Sequence, residues 1–313
     1  MKIAIIGSGA MGSLYGGRLS LAGHDVVLFD VYREHVEKVQ RDGLVIEDAA
    51  TGNSLVARPQ ASAEPRAVEG SDVFIVFVKS TSTEEAALQF KELAGPSTVV
   101  LTLQNGLGNE GIIRRHFGPA RTAAGVTSQG ATFLGPGRIR HAGKGPTHMS
   151  MADGDNRKLS ALADALRAAE FETHVEEDVA ALVWSKLVIN VGINALTALI
   201  GQTNGTLLLH EETKAIMADL VGEAVAVTRA RGVRLTYTDP LAAVYEVAGK
   251  TGANRSSMLQ DFDKGRESEI DFMNGAIVKE AAQLGMPVPV NATITRLVKT
   301  LDRIHLSGSP HDR

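Results

Sequence analysis

The chain has 313 residues and a mass of 33.1 kDa, room for two domains of ordinary size. Hydrophobic residues make up 44% and charged residues 22%, a globular balance that argues against a disordered or coiled-coil chain. The net charge of -4 gives no basic face for nucleic acid, and the absence of cysteine removes disulfides, thiolate metal sites and cysteine nucleophiles together.

Met1-Lys2 runs straight into the apolar residues 3–6, too short a run for an export signal, so a cytoplasmic chain is expected. The first half then alternates short apolar runs with amphipathic stretches, the pattern of a parallel sheet wrapped by helices. Strands are predicted at Lys2–Ile6, Asp25–Phe29, Val73–Val78 and Thr98–Leu103. Helices are predicted at Ala10–Ala22, stopped by Gly23, and at Glu34–Arg41, stopped by Gly43. The glycine-rich stretch from Ala123 to Met151 reads as further strands on one side of that sheet. From Asp178 onward the periodicity is almost wholly helical, with Asp239-Pro240 opening a helix and Gly232 and Gly285 closing others.

These features predict an α/β protein. An N-terminal Rossmann-type, doubly wound domain (residues 1–177) is followed by an all-helical domain (residues 178–313). Leu187–Leu209 carries no charge, but its Asn190, Asn194, Gln202 and Asn204 are costly in lipid, so a buried helix and a loop are expected rather than a membrane span. The tail Gly308–Arg313 is expected to be disordered.

Gly7-Ser8-Gly9-Ala10-Met11-Gly12 is a G-x-G-x-x-G run between a strand and a helix. Gly7 permits the tight turn, Gly9 lets backbone approach a pyrophosphate, and Gly12 lets helix and strand pack closely. The helix N-terminus adds unpaired N–H groups. Asp30, 18 residues past Gly12 at the end of the second strand, can accept from ribose hydroxyls and would repel a 2′-phosphate. The cofactor is therefore expected to be NAD(P)H with NADH favoured, while Arg33 leaves a counter-charge for NADPH nearby. Lys79 and Asn105, both at strand C-termini, are expected on the cofactor side. For Asn105 a plain Asn-Gly turn is the alternative.

In the second half, Lys186, Asn190 and Asn194 stand at i, i+4 and i+8, one polar stripe within roughly 80° on an otherwise apolar helix. A buried lysine there can protonate or stabilise an oxygen that gains negative charge, and the amides can hold carboxylate and hydroxyl groups. An internal hydrogen-bond network or salt bridge is the alternative. Glu269 heads a stretch with apolar Ile270, Met273, Ile277 and Leu284, predicted as one helix. Its carboxylate serves either the site or the helix dipole. The nine histidines are scattered, so no metal site is expected.

Taken together, these motifs resemble the ketopantoate reductases (2-dehydropantoate 2-reductases) over essentially the full length. The matching pieces are the Gly7–Gly12 fingerprint, Val78-Lys79, Gln104-Asn105-Gly106, Trp184-Ser185-Lys186 with Asn190, Asn194 and Asn204, residues 256–261, Glu269-Ile270-Asp271 and Asn274-Gly275. The resemblance implies a Rossmann domain, a helical domain and an active site in the cleft they form, in a monomer or homodimer. It implies that Lys186 is the general acid and that Glu269 contacts the substrate hydroxyl or the lysine. It further implies that Asn190, Asn194, Asn204 and Ser257 bind substrate, and that a 2-keto acid is reduced to a D-2-hydroxy acid such as pantoate. Phe29-Asp30-Val31-Tyr32-Arg33 departs from the NADPH-using members, which commonly place an arginine there without the acid. Relatives with the aspartate resemble NADH-dependent D-2-hydroxyacid dehydrogenases of branched or aromatic keto acids. A 3-hydroxyacid dehydrogenase would share the lysine and the asparagine four residues on, but not the Ser257 and Glu269 segments. A nucleotide-sensing protein without turnover would not need Lys186.

Overall fold

The computed structural model describes residues 1–307; the tail expected to be disordered lies outside them. By packing, the chain divides into two units: residues 1–104 with 109–179, and residues 105–108 with the chain from Ala180 onward.

The first unit runs β1 (Lys2–Ile6), α1 (Ala10–Leu21), β2 (Asp25–Phe29), α2 (Arg33–Asp42), β3 (Leu44–Asp48), β4 (Ser54–Ala57), β5 (Gln60–Ser62) and β6 (Val73–Val76). It continues with α3 (Thr83–Phe90), β7 (Val99–Thr102), α4 (Asn109–Phe117), β8 (Thr122–Thr127), β9 (Gly130–Gly135), β10 (Arg138–Gly143), β11 (Thr147–Met151), α5 (Ser160–Ala168) and β12 (Thr173–Val175). Eight strands form one sheet in the order β12-β11-β8-β7-β6-β1-β2-β5, parallel except where β11 meets β8. The strand order reverses at β1, with β2 on one side and β6 on the other. This is the switch point where open α/β sheets bind ligands beyond their strand ends.

Because side chains alternate along a strand, Ile3 and Ile5 of β1 pack with Leu14, Tyr15 and Leu19 of α1, while Ala4 and Ile6 pack with Phe90, Ile113 and Phe117 on the other face. Both faces of the central strands are thus covered, which is why they read as continuous apolar runs. The stretch from Ala123 to Met151 splits in a way the sequence pattern did not predict. β8 and β11 join the main sheet, but β9 and β10 leave it, and β10 pairs with β3 to close a separate four-stranded sheet, ordered β4-β3-β10-β9. The pairing of β10 with β3 spans about 90 residues of sequence, beyond the reach of a local pattern.

The second unit is helical: α6 (Ala180–Ile200), α7 (Glu211–Ala230), α8 (Pro240–Lys250), α9 (Ser257–Asp263), α10 (Asn274–Gln283) and α11 (Pro289–Leu306). α6 is its axis. By length and composition it could cross a membrane, yet 72% of its apolar window is buried inside the protein. Gly192 on α6 lets α7 and α8 close in, since a Cβ there would stand 2.7 Å from Val244 and 3.0 Å from Val221. Asp239 caps α8, its carboxylate accepting from the Ala242 N–H at 3.0 Å, as Asp-Pro predicts. The predicted helix headed by Glu269 is instead two pieces. A single 3-10 turn (Ile270–Phe272) ends at Met273, whose φ of -114° and ψ of -104° break the helix before α10 begins.

Candidate active site

At the head of α1, Gly7 adopts φ +94°, a left-handed value that a side chain disfavours, and a Cβ there would lie 2.6 Å from the Val78 backbone nitrogen. The glycine turn therefore sits directly on the strand-end segment that carries Lys79. Gly12 is equally constrained: a Cβ would come within 2.0 Å of the Gly7 carbonyl oxygen. Gly9 differs from both, because nothing lies within 4 Å of where its Cβ would be. The protein thus leaves open the face where the first N–H groups of α1, at Ala10, Met11 and Gly12, have no intrahelical acceptor. A helix N-terminus behind an open glycine fits the phosphates of a dinucleotide.

Asp30 belongs to this loop by geometry as well as by spacing. One carboxylate oxygen accepts from the Ser8 hydroxyl at 3.3 Å and the other from the Tyr32 N–H at 3.0 Å. Arg33 opens α2 with its side chain largely in solvent, 3.9 Å from Glu64. Behind the loop lies a support that the sequence pattern did not disclose. His35, 1% exposed, accepts the Gly137 N–H on Nδ1 at 3.0 Å. Its hydrogen is therefore on Nε2, which donates to Ser13 Oγ at 3.2 Å, and Ser13 donates in turn to the Ser8 carbonyl at 2.7 Å. Burial pushes the His35 pKa below its ordinary value, with the Asp30 charge opposing the drop, which keeps the imidazole neutral as this network requires.

A second network braces the ends of β6 and β7. The Gln104 amide donates to the Val78 carbonyl at 2.7 Å and to Thr83 Oγ1 at 2.8 Å, and Thr83 donates to Asn109, whose amide donates to Ser80 at 3.1 Å. This braces part-buried Lys79, the residue before Ser80. Asn105 follows Gln104, but its loop packs with the second unit. Gly106 turns at φ +86°, the Leu107 N–H donates to the Phe272 carbonyl at 2.8 Å, and the Leu107 side chain joins the helical core.

In the second unit the polar stripe of α6 is intact. Lys186 and Asn190 are part-buried, and Asn194 is 7% exposed. Burial pushes the Lys186 ammonium down to about 8, and the Glu269 charge is what opposes the fall. Lys186 keeps some accessible surface, yet the surrounding protein desolvates it more than the carboxylate compensates. The Asn194 amide donates weakly to Ser257 Oγ at 3.4 Å and to the Met273 sulfur at 3.5 Å. The Asn190 side chain makes no hydrogen bond to another described residue. The adjacent serines divide their work: Ser256 caps α9, accepting from the Leu259 N–H at 3.1 Å and from Thr197 at 2.7 Å, which leaves Ser257 turned to Asn194. Asn204 stands apart, donating to Thr251 at 2.8 Å while its buried carbonyl oxygen has no partner among the described residues. Glu269 is 6% exposed and stands before a single 3-10 turn, not at the head of an α-helix.

A doubly wound sheet with an open glycine turn at its switch point, followed by a helical unit carrying a part-buried lysine and a buried carboxylate, fits the class of pyridine-nucleotide-linked oxidoreductases. Residues 3–154 match the family described as "Ketopantoate reductase PanE/ApbA", and residues 178–302 match its C-terminal counterpart. The chain belongs to the ketopantoate reductase family. A 2-dehydropantoate 2-reductase of Halobacterium salinarum is 34% identical, with 97% of this chain and 99% of that protein covered. The crystal structure of a family member from Ralstonia eutropha superposes with a TM-score of 0.89 at 35% identity, covering 97% of this chain and 99% of that one. A D-mandelate dehydrogenase solved with NADH and anilino(oxo)acetate superposes with a TM-score of 0.88 at 28% identity, again covering 97% and 99%.

Proposed function

We propose that this protein reduces a 2-keto acid to a D-2-hydroxy acid, with ketopantoate to pantoate in pantothenate biosynthesis as the leading reaction and NADH as the preferred cofactor. The carrying observation is Lys186, a part-buried, desolvated ammonium under the charge of Glu269 at the head of a polar stripe. When bound, the nicotinamide supplies the hydride that the keto carbon accepts. The carbonyl π electrons then move to oxygen, and Lys186 donates the proton that completes the hydroxyl. A lysine whose pKa is about 8 is still mostly protonated at neutral pH, yet gives up its proton far more readily than an exposed one. Glu269 keeps that ammonium charged and receives a hydrogen bond from the substrate or from Lys186.

Asn190, Asn194, Asn204 and Ser257 bind the substrate carboxylate and hydroxyl groups. The unbonded Asn190 amide and the orphaned Asn204 oxygen supply donor and acceptor capacity that the fold leaves unused. In the first unit, residues 7–12 hold the pyrophosphate, Asp30 the adenosine ribose, and Lys79 and Asn105 the remainder of the cofactor. Residues 1–177 thus serve as the dinucleotide domain and residues 178–313 as the substrate and dimerisation domain of a cytoplasmic enzyme.

A second reading, an NADH-dependent D-2-hydroxyacid dehydrogenase of branched or aromatic keto acids, is favoured by Asp30 and by the likeness to D-mandelate dehydrogenase with NADH. The deciding experiment measures kcat/KM for ketopantoate, 2-ketoisocaproate and phenylglyoxylate with NADH and with NADPH. Ketopantoate is expected to lead. A lead of tenfold or more for either other acid transfers the assignment to the second reading, and no turnover of any 2-keto acid defeats both.

A further inference from the structure

Glu269 has no regular element to hold it. It precedes a single 3-10 turn, its own φ and ψ are -95° and 28°, and four residues on the backbone breaks again at Met273. A buried carboxylate on such a segment can serve Lys186 only if the segment is fastened from outside. The downstream end is fastened by Asn274, 0% exposed, whose amide donates to the Val191 carbonyl of α6 at 3.3 Å and to Asn291 of α11 at 3.1 Å.

The upstream end is fastened at Ser268 by α11. Asp302, 7% exposed near the end of α11, accepts the Ser268 N–H on one carboxylate oxygen at 3.0 Å and the Ser268 hydroxyl on the other at 2.7 Å. Ser268 is 2% exposed, and its Oγ also accepts the Ile270 N–H at 3.4 Å, so hydroxyl and carboxylate together pin the backbone on both sides of Glu269. Burying a carboxylate this deeply is costly, and two hydrogen bonds to one serine restore only part of that cost. A structural contact alone could be made by a neutral side chain.

We propose that Asp302 is a positioning residue of the reaction: through Ser268 it holds Glu269 where its carboxylate acts on Lys186. The inference rests on the proposed role of Lys186 and Glu269. Several charged groups of neighbouring elements have partners of their own. Asp271 takes Lys299 at 3.0 and 2.7 Å, Arg255 takes Asp263 at 2.7 Å, and Arg231 takes Glu280 at 2.5 Å. Glu223 of α7 accepts the Val290 and Asn291 N–H groups at 2.9 Å, and Asp261 is buried on α9. Glu269 is the charge that acts on Lys186. Freed from Ser268, Glu269 drifts from the ammonium, burial then acts unopposed, and Lys186 loses its proton at lower pH.

The test is the pH profile of kcat for Asp302→Asn, Ser268→Ala, Glu269→Gln and the double variant Glu269→Gln with Asp302→Asn, beside Lys186→Ala. Asparagine keeps the acceptor for the Ser268 N–H but loses the charge that the hydroxyl donates to. Asp302→Asn and Ser268→Ala should each move the alkaline limb of kcat down by about one pH unit, within the 1–3 units a neighbouring charge typically supplies. Glu269→Gln should move it at least as far, and Asp302→Asn should add nothing in that background. A lower melting temperature with the limb in place, in whichever of the two positioning variants folds, overturns the proposal, as does the same further shift in the Glu269→Gln background. Near-normal turnover of Lys186→Ala instead overturns the underlying reading.

Discussion

Under the proposed function, the glycine turn of the first unit and the Lys186 region of the second hold a polar molecule by opposite means. The turn offers backbone: Gly7 and Gly12 are forced by atoms 2.6 and 2.0 Å from their missing Cβ positions, and Gly9 faces open space. Six consecutive residues and one acid at a fixed interval suffice. The helical region offers side chains that meet across long intervals, Lys186 with Glu269, Asn194 with Ser257 and Ser268 with Asp302. A backbone site tolerates change wherever the glycines survive. A side-chain site depends on every fastening, and a single loosened contact alters its proton chemistry before it alters the fold.

If that division is correct, damage to the second region should cost turnover and damage to the first should cost nucleotide affinity. The largest effect is expected from Lys186→Ala. Losing a positioned general acid typically lowers the rate by a factor on the order of 10²–10⁴. kcat should fall by about that much while the NADH dissociation constant stays within about twofold, because no residue of the glycine turn is touched. Calorimetric NADH titration beside steady-state kinetics checks both numbers. Equal losses in the two would show that the regions are not separable in this way.

Next in size is a pair of glycine variants that sharpens the contrast within the turn itself. Gly9→Val adds a side chain to open space, at a residue whose φ of -61° any amino acid adopts, so the fold should keep its melting temperature. The same side chain obstructs the approach of a phosphate. Losing one charge-assisted hydrogen bond costs about 1.5–3 kcal/mol, which is roughly 10- to 100-fold in Kd. Gly12→Ala should do the reverse in order of cause. Its methyl collides with the Gly7 carbonyl, so stability falls by about 1–3 kcal/mol or more and binding is lost with it. Thermal melts with and without NADH separate the two cases. Gly9→Val melting early would remove the distinction between a glycine kept for the ligand and one kept for the fold.

The same contrast explains what was readable in the sequence. β1, α1, β2, α2, β6 and β7 fall within a few residues of their predicted positions because period, caps and glycine stops are local signals. The small sheet was not readable, since nothing local in β9 and β10 marks which sheet they join and the distant partner β3 decides it. In the site, Asp30 was readable from its interval, and the Lys186 stripe from helical spacing. Ser256 and Ser257 are chemically identical in sequence, and only the start of α9 makes one a cap and turns the other to Asn194. Gln104 showed only as a strand-end residue of the Gln104-Asn105-Gly106 motif, and His35 and Asp302 carried no signal at all. Each is a polar residue in an ordinary amphipathic stretch or strand end, and its work depends on a backbone group or side chain 22 to 102 residues away.

The smallest expected effect is at Asp30, where the backbone site depends on one side chain after all. Its two oxygens each accept one hydrogen bond, from Ser8 at 3.3 Å and from the Tyr32 N–H at 3.0 Å, so each retains a lone pair for a ribose hydroxyl. A 2′-phosphate in that position would set like charges together, and Arg33, largely in solvent and 3.9 Å from Glu64, is weakly placed to offset them. NADH should therefore give the higher kcat/KM in the unaltered protein. Asp30→Ala removes both the acceptor and the repulsion. The NADH value should fall by about tenfold, the cost of one hydrogen bond to a charged group, while the NADPH value holds or rises. The ratio of the two is the quantity to measure, because a general loosening of the turn would lower both values and leave their ratio unchanged. An unaltered protein that prefers NADPH would mean that Arg33, not Asp30, governs the choice. Arg33→Ala would then be the variant that reverses it.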